Sequence, residues 1–456
     1  MKRPLRLLVI GGVAAGTKAA SKARRDDPSM KITIITQEKY ISYAGCGLAY
    51  YVGGVVDNRS KLFARSPETF GGKYNIDVLL RHRAERISVY DKTVNVTDLE
   101  SGESLSMEYD KLLIATGASA VIPPIDGIDS QGVFTLHSID DADSVKNYLN
   151  SRGVKNACIV GGGYIGVEIA ENLTGLGISC DMFEGEDRIL PGFFDPDMSE
   201  QIGKHLISKG VIIHAGCLVE KINHDSSGQV VSVISGGREH ECRLAIIAAG
   251  VRPNVELAKE ARIAIGATGA IKVDSRMETS SRGIFAAGDC AESIDLVSGN
   301  PCWYPLGSTA NKQGRIAGAN IAGGKKVFKG VLGTSIVKVF DIAAARTGLS
   351  EQKALEYGFN PVSVSFTGSA HAGYYPGKSE ITLKLIADSV SKKLLGAQAF
   401  GDESVDKAID TIAAALAGKI SIPDLANLDI SYSPPYSTAL GTVVITAGIL
   451  ENKLRM

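Results

Sequence analysis

The chain has 456 residues, is 44% hydrophobic and 22% charged, and carries a formal net charge of −1. That length and balance allow two or three cored domains. They give no electrostatic reason to expect nucleic acid or an anionic membrane as partner, and no apolar run reaches the roughly 18 residues of a membrane span. The opening MKRPLRLLVIGG puts basic residues before a short apolar run that ends in glycines. A buried strand is expected there, not a signal peptide. RLLVIGGVAAGTKAASKAR reads as strand, glycine turn and small-residue helix, and KITIIT as the next strand. TVNVTD and KLLIATGAS give further strands, and VIPPIDG a proline-rich linker. The pattern then restarts with NACIVGGGYIGVEIAENLTGLG and the strand SCDMFE. This repeat of a strand–turn–helix start has a spacing of about 150 residues. From about residue 327, TSIVKVF, PVSVSFTG and EITLKLIAD read as antiparallel strands and DKAIDTIAAALAG as an amphipathic helix, an α+β domain.

Seven cysteines, Cys46, Cys158, Cys180, Cys217, Cys242, Cys290 and Cys302, are widely spaced and include no CxxC. This argues against a disulfide scaffold or a structural zinc site and for a reducing, cytoplasmic setting. No metal ligands are assigned. Cys46 stands alone in SYAGCGLAY, and the next cysteine is Cys158.

In GGGYIG, Gly161, Gly163 and Gly166 have the GxGxxG spacing. The first glycine permits a tight turn, the second lets a pyrophosphate approach the backbone, and the third lets helix pack on strand. Helix N-terminal amides then hold the phosphates. Glu184 ends the following strand, where a carboxylate accepts hydrogen bonds from a ribose diol and repels a 2′-phosphate. An NADH site is expected, with NADPH the less favoured donor. The first copy, GGVAAG, keeps Gly11 and Gly16 but has Val13 in the middle position; Thr36 stands where the acid is expected and Glu38 follows two residues later.

GGVAAG, SYAGCGLAYYVGG, YDKLLIATGA, GGGYIGVEIAENL, AAGVRPN and IFAAGDC together resemble the pyridine nucleotide-disulfide oxidoreductase superfamily over nearly the whole chain. The resemblance implies an α/β fold with two Rossmann-like dinucleotide-binding domains and a C-terminal α+β dimerisation domain. Its boundaries would be residues 1–120 with 250–326 for FAD, 121–249 for NADH and 327–456 for dimerisation. It implies FAD contacts at Gly11, Gly16, Glu38, Ala115, Thr116, Gly117, Gly250, Gly288, Asp289 and Thr309. On the NADH side it adds Tyr164 as a gate over the flavin. A homodimer with active sites shared between chains is implied as well.

The position five after Cys46 is Tyr51, so the two-cysteine reductases do not match, and the single-cysteine branch is indicated. A lone cysteine permits two chemistries. It can cycle through a sulfenic acid, or form a mixed disulfide with a small thiol that supplies the second sulfur. Val13 stands where family peroxidases and oxidases carry a histidine. HAGYYPG and SYSPPYS resemble motifs of the coenzyme A-disulfide reductases. By that resemblance Tyr374 and Tyr432 reach the partner's active site, with Tyr375 and Tyr436 as alternatives. Contacts to coenzyme A are expected at Lys22 and Arg25 of the first helix, at Ser42 and Gly45 beside the thiol, and at Lys73; Asn311 occupies a position where a relative can carry a substrate-contacting histidine. Gly45 and Ala49 depart from the family pattern around the cysteine. Some relatives carry a C-terminal rhodanese domain; a chain closing at Met456 modestly favours plain disulfide reduction over persulfide reduction. The expected enzyme is an FAD-dependent NAD(P)H reductase of coenzyme A disulfide or coenzyme A persulfide or polysulfide, with an NADH oxidase or peroxidase as the alternative.

Overall fold

The computed structural model describes residues 3–377, 379–402 and 404–455. Three five-stranded sheets organise the chain. The first is wholly parallel, in the order Ile284–Ala286, Lys111–Ile114, Arg6–Ile10, Lys31–Ile35, Asp77–Leu79. Its central strands are short Leu/Ile/Val runs buried on both faces, which is what a covered parallel sheet requires. Helix Ala14–Asp26 packs on helix Gly307–Ile321 nearly backbone to backbone. A Cβ on Gly314 would lie 2.4 Å from the Ala15 carbonyl oxygen, and one on Gly318 2.3 Å from that of Ala19. The small-residue runs of both helices exist for that approach.

The second sheet is also parallel: Val211–Ala215, Ser179–Glu184, Asn156–Val160, Leu244–Ile247, Val133–Thr135. Helices Ile139–Arg152 and Tyr164–Gly175 cover one face. The antiparallel ribbon Val219–His224, Val230–Ser235, Arg238–Glu241 covers the other, and Cys158, Phe183, Ile222 and Val233 fill the space between. Both parallel-sheet units expected from the glycine turns are therefore present, the second with a β-ribbon on one face.

The C-terminal strands are antiparallel, in the order Ser335–Val339, Ile342–Gly348, Leu394–Gly401, Glu380–Asp388, Pro361–Ser369. Helices Val405–Gly418 and Gly441–Arg455 close one face through Val405, Ile409, Ile412, Val443 and Leu450. A buried charge cluster ties this unit to the second. Lys384 Nζ lies 2.7 Å from Asp197, 2.7 Å from Glu351 and 3.3 Å from Asp195, with its side chain 5% exposed. Asp195 is further held by Gln398 Nε2 at 2.8 Å and by the Glu351 amide.

Candidate active site

The two glycine turns are the same object built twice. Gly11 and Gly161 have φ of +116° and +113°, conformations open to glycine. A Cβ there would lie 2.0 Å from the Ala115 carbonyl oxygen and 2.3 Å from that of Ala248. Gly16 and Gly166 each press against the carbonyl oxygen of their turn's first glycine, where a Cβ would sit at 2.0 Å. The turns are anchored alike: the Gly11 amide donates to Ile35 and the Gly161 amide to Phe183, at 2.9 and 2.7 Å. Gly163 differs in kind, because a Cβ built on it meets nothing within 4 Å. It borders open space, the room a pyrophosphate needs.

That space fits a dinucleotide at both turns. Neither helix Ala14–Asp26 nor helix Tyr164–Gly175 has a side-chain N-cap, so first-turn amides are left for a ligand. Gly288 (φ +86°) sits where a Cβ would meet Ala15 at 2.9 Å and Ala310 at 3.6 Å, so the starts of two helices converge on it. Thr309 is buried in the first turn of the second of these, and Gln313 Oε1 accepts from the Gly288 amide at 2.7 Å. Beside it, burial raises the Asp289 carboxyl, with His137 opposing; the Asp289 carbonyl accepts from Trp303 Nε1 at 2.8 Å. Thr116 is clasped by Asn254, its hydroxyl donating to the Asn254 carbonyl at 2.7 Å and its own carbonyl accepting from Asn254 Nδ2 at 2.9 Å. Gly117 (φ +69°) and Gly250 (φ +97°) open the turns on either side of the short Ala118–Ala120/Val251–Pro253 ladder. Burial pushes the Glu38 carboxyl up, and a hydrogen bond with Tyr43 opposes it. In the second copy the Glu184 carboxylate accepts from the Gly162 amide at 2.8 Å and the Glu186 amide at 2.9 Å, which fixes it at the mouth of the turn.

Cys46 occupies a tight turn, Gly45–Gly47, that leads into helix Leu48–Val52. A Cβ on Gly47 would meet Leu62 Cδ2 at 2.6 Å and push that side chain aside, whereas Gly45 faces open space. The preceding Ser42 is buried, holds φ +54°, and ties the segment down by donating its amide to Gly12 at 2.8 Å. The thiol is reachable from solvent, yet protein surrounds it at longer range. Desolvation therefore raises it above the ordinary thiol value, with Glu168 and Asp289 adding by charge and a backbone hydrogen bond opposing. A stabilised thiolate is what nucleophilic sulfur requires, and the chain's own residues do the reverse.

Tyr51 is no redox partner. It is buried, its hydroxyl bonds Asp143 at 3.1 Å, and Lys146 lies 4.7 Å over its ring. Val13 packs against the cluster that includes Tyr43, Leu48 and Ala49. Tyr164 rests on Phe193 with ring centroids 4.2 Å apart and bonds Ser335 at 2.6 Å, and burial pushes its phenol up to about 12. Tyr374 and Tyr432 are exposed, and the neighbouring Tyr432 hydroxyl raises the Tyr374 phenol. The alternatives Tyr375 and Tyr436 are exposed as well. Of the expected coenzyme A contacts, Lys22 is paired with Asp26 at 2.6 Å, Arg25 and Lys73 are exposed, and Asn311 Nδ2 donates to the Gly307 carbonyl at 2.8 Å. Arg24, on the same helix, is spent on the carbonyls of Tyr74, Asn75 and Pro28.

Sequence reasoning missed Glu168 and Tyr50. Glu168 lies one turn after Tyr164, its Oε1 accepts from the Tyr50 hydroxyl at 3.3 Å, and burial pushes its carboxyl up to about 7. The acid in GYIGVE was a legible signal, but its partner near Cys46 was not.

Residues 5–314 match the pyridine nucleotide-disulphide oxidoreductase family, and residues 334–444 match the dimerisation domain of that family. The chain belongs to this family. It is accordingly a flavin-dependent oxidoreductase that uses a pyridine nucleotide. An NAD(P)H coenzyme A polysulfide/persulfide reductase of Pyrococcus horikoshii is 36% identical, over 98% of this chain and 98% of that protein. A coenzyme A disulfide reductase of Staphylococcus haemolyticus is 30% identical, over 95% and 96%. An NADH oxidase of Methanocaldococcus jannaschii is 36% identical, over 95% and 96%. Among solved structures, a NAD-dependent persulfide reductase from A. fulgidus superposes with a TM-score of 0.95 at 41% identity, over 98% of this chain and 83% of that one.

Proposed function

We propose that the protein reduces coenzyme A disulfide, or coenzyme A persulfide or polysulfide, with NADH through Cys46. The supporting observation is the lone, reachable Cys46 beside the glycine-turn cleft, with Tyr51 buried where a second thiol would stand and Val13 in place of an imidazole. The names of the relatives agree with this chemistry.

In the proposed cycle, the Cys46 thiolate attacks a disulfide sulfur of the substrate. A Cys46–S–S–CoA bond forms and one coenzyme A thiolate leaves. Two electrons and one proton then cleave the mixed disulfide, giving free coenzyme A and Cys46 thiolate. FAD, when bound, relays those two electrons from NADH to sulfur. The chain's residues bind and orient: the Gly11, Gly288 and Thr309 cradle would hold FAD, and the Gly161–Gly166 turn with Glu184 would hold NADH in preference to NADPH. Tyr164 would cover the flavin until NADH displaces it. Lys22, Arg25, Ser42, Gly45, Lys73 and Asn311 would line the coenzyme A path. In a homodimer, the Tyr374–Tyr432 pair of one protomer would serve the Cys46 cleft of the other, a tyrosine hydroxyl donating a proton to the leaving thiolate. The domain limits proposed are 1–120 with 250–326, 121–249 and 327–456, and the setting is cytoplasmic.

The second reading is an NADH oxidase or peroxidase cycling Cys46 through a sulfenic acid, favoured by the M. jannaschii relative. The two separate under anaerobic and aerobic turnover of NADH. NADH loss with coenzyme A disulfide or persulfide, matched by released thiol and abolished in Cys46→Ser, supports the reductase. NADH loss matched only by oxygen or peroxide consumption replaces it with the second reading.

A further inference from the structure

We propose that Asp181, His214 and His240 form a binding site for a divalent ion of the zinc type. The three come from three strands in two layers: Ser179–Glu184 and Val211–Ala215 of the parallel sheet, and Arg238–Glu241 of the ribbon packed on it. No sequence spacing announces them. The fold brings one ligand atom of each within 4.8 Å of the others.

Asp181 Oδ1 lies 2.7 Å from His214 Nε2 and 3.9 Å from His240 Nδ1. An ion about 2.1 Å from each donor in tetrahedral geometry sets its ligands about 3.4 Å apart. The observed pair straddles that spacing, so small side-chain rotations suffice. The imidazoles are held in place for this. Phe183, on the same face of its strand as Asp181, stacks on His214 at 4.5 Å and 10° and meets His240 edge-on at 4.9 Å. The His240 ring makes no hydrogen bond among the described residues, and its Nδ1 faces Asp181 at 3.9 Å.

Two imidazoles and one carboxylate select zinc, cobalt or nickel over magnesium or calcium, which prefer all-oxygen sites. The side chains are 19, 24 and 20% exposed for Asp181, His214 and His240, so a water completes the shell from the solvent side. The ion would cross-link the ribbon to the strand that ends in Glu184, on the face of the second sheet that the ribbon covers. Its role is therefore to stabilise that layer, not to react.

The test uses tag-free, FAD-bound protein carrying Cys46→Ser, so that the exposed thiol does not compete for metal. Zinc is titrated by calorimetry after chelator treatment, and the thermal midpoint is read with and without zinc. Expected are one equivalent bound per chain and a raised midpoint. In His214→Gln and His240→Gln, affinity should fall by at least about 10- to 100-fold, comparable to losing a metal-site contact, and the midpoint gain should vanish. Unchanged flavin absorbance and unchanged flavin reduction by NADH certify that these variants are folded. Absence of stoichiometric binding in the parent, or equal binding in the histidine variants, overturns the site.

Discussion

Gly163 and Gly166 sit three residues apart in one turn, and the structure assigns them opposite sensitivities. At Gly163 (φ −76°, ψ −173°) any residue is allowed and a Cβ meets nothing within 4 Å. At Gly166 a Cβ would lie 2.0 Å from the Gly161 carbonyl oxygen. The helix would have to lift by more than an ångström, an overpacking cost of roughly 1–3 kcal/mol or more. Gly163→Ala should therefore keep the wild-type thermal midpoint to within about 2 °C and lose NADH. Displacing a phosphate from a charge-assisted amide contact costs about 1.5–3 kcal/mol, which is about 10- to 150-fold in dissociation constant. Gly166→Ala should lower the midpoint by several degrees, since about 1 kcal/mol moves a domain of this size by roughly 2–4 °C. Stopped-flow reduction of the flavin against NADH concentration, with thermal unfolding alongside, reads both quantities. Wild-type NADH affinity in a folded Gly163→Ala protein would refute a pyrophosphate against this turn.

Glu184→Ala should raise the NADH KM about tenfold or more and compress the NADH/NADPH ratio of kcat/KM, because the carboxylate held by the Gly162 and Glu186 amides is what would repel a 2′-phosphate. Burial pushes the Glu168 carboxyl up to about 7, well above the ordinary carboxylate range. It keeps a proton that the unfolded chain releases, so its contribution to stability declines as pH rises from about 4.5 through 7. Glu168→Gln should raise the thermal midpoint at pH 8 relative to wild type and leave it nearly unchanged at pH 4.5. By removing a negative charge near Cys46 it should also move the pH profile of Cys46 alkylation downward. Lys384→Met leaves the buried Asp195 without its cation, while Asp197 and Glu351 keep contact with solvent; breaking that one buried pair should destabilise by about 3–5 kcal/mol, and an unchanged unfolding transition would contradict it.

The parts of the site legible in the sequence are those that backbone sterics dictate locally. Gly11, Gly16, Gly161 and Gly166 are each forced by a carbonyl oxygen within 2.3 Å of where a Cβ would be, and that demand is written into consecutive residues. The C-terminal strands are legible by a different local signal, the apolar–polar alternation of PVSVSFTG and EITLKLIAD. Contacts between distant segments were not. Tyr50 with Glu168, Lys384 with Asp195, Asp197 and Glu351, and Asp181 with His214 and His240 are met only after sheets stack. Burial is the main cause of the raised Cys46 thiol, and the charges of Glu168 and Asp289 that add to it come from segments distant in the chain.

In the proposed cycle the second sulfur of the redox pair belongs to coenzyme A. Intact-mass spectrometry of the flavoprotein after incubation with coenzyme A disulfide tests it most directly. One coenzyme A adduct per chain is expected, located on Cys46, absent in Cys46→Ser and discharged by NADH. An unmodified Cys46 that turns over coenzyme A disulfide, or full disulfide reduction by Cys46→Ser, would contradict it.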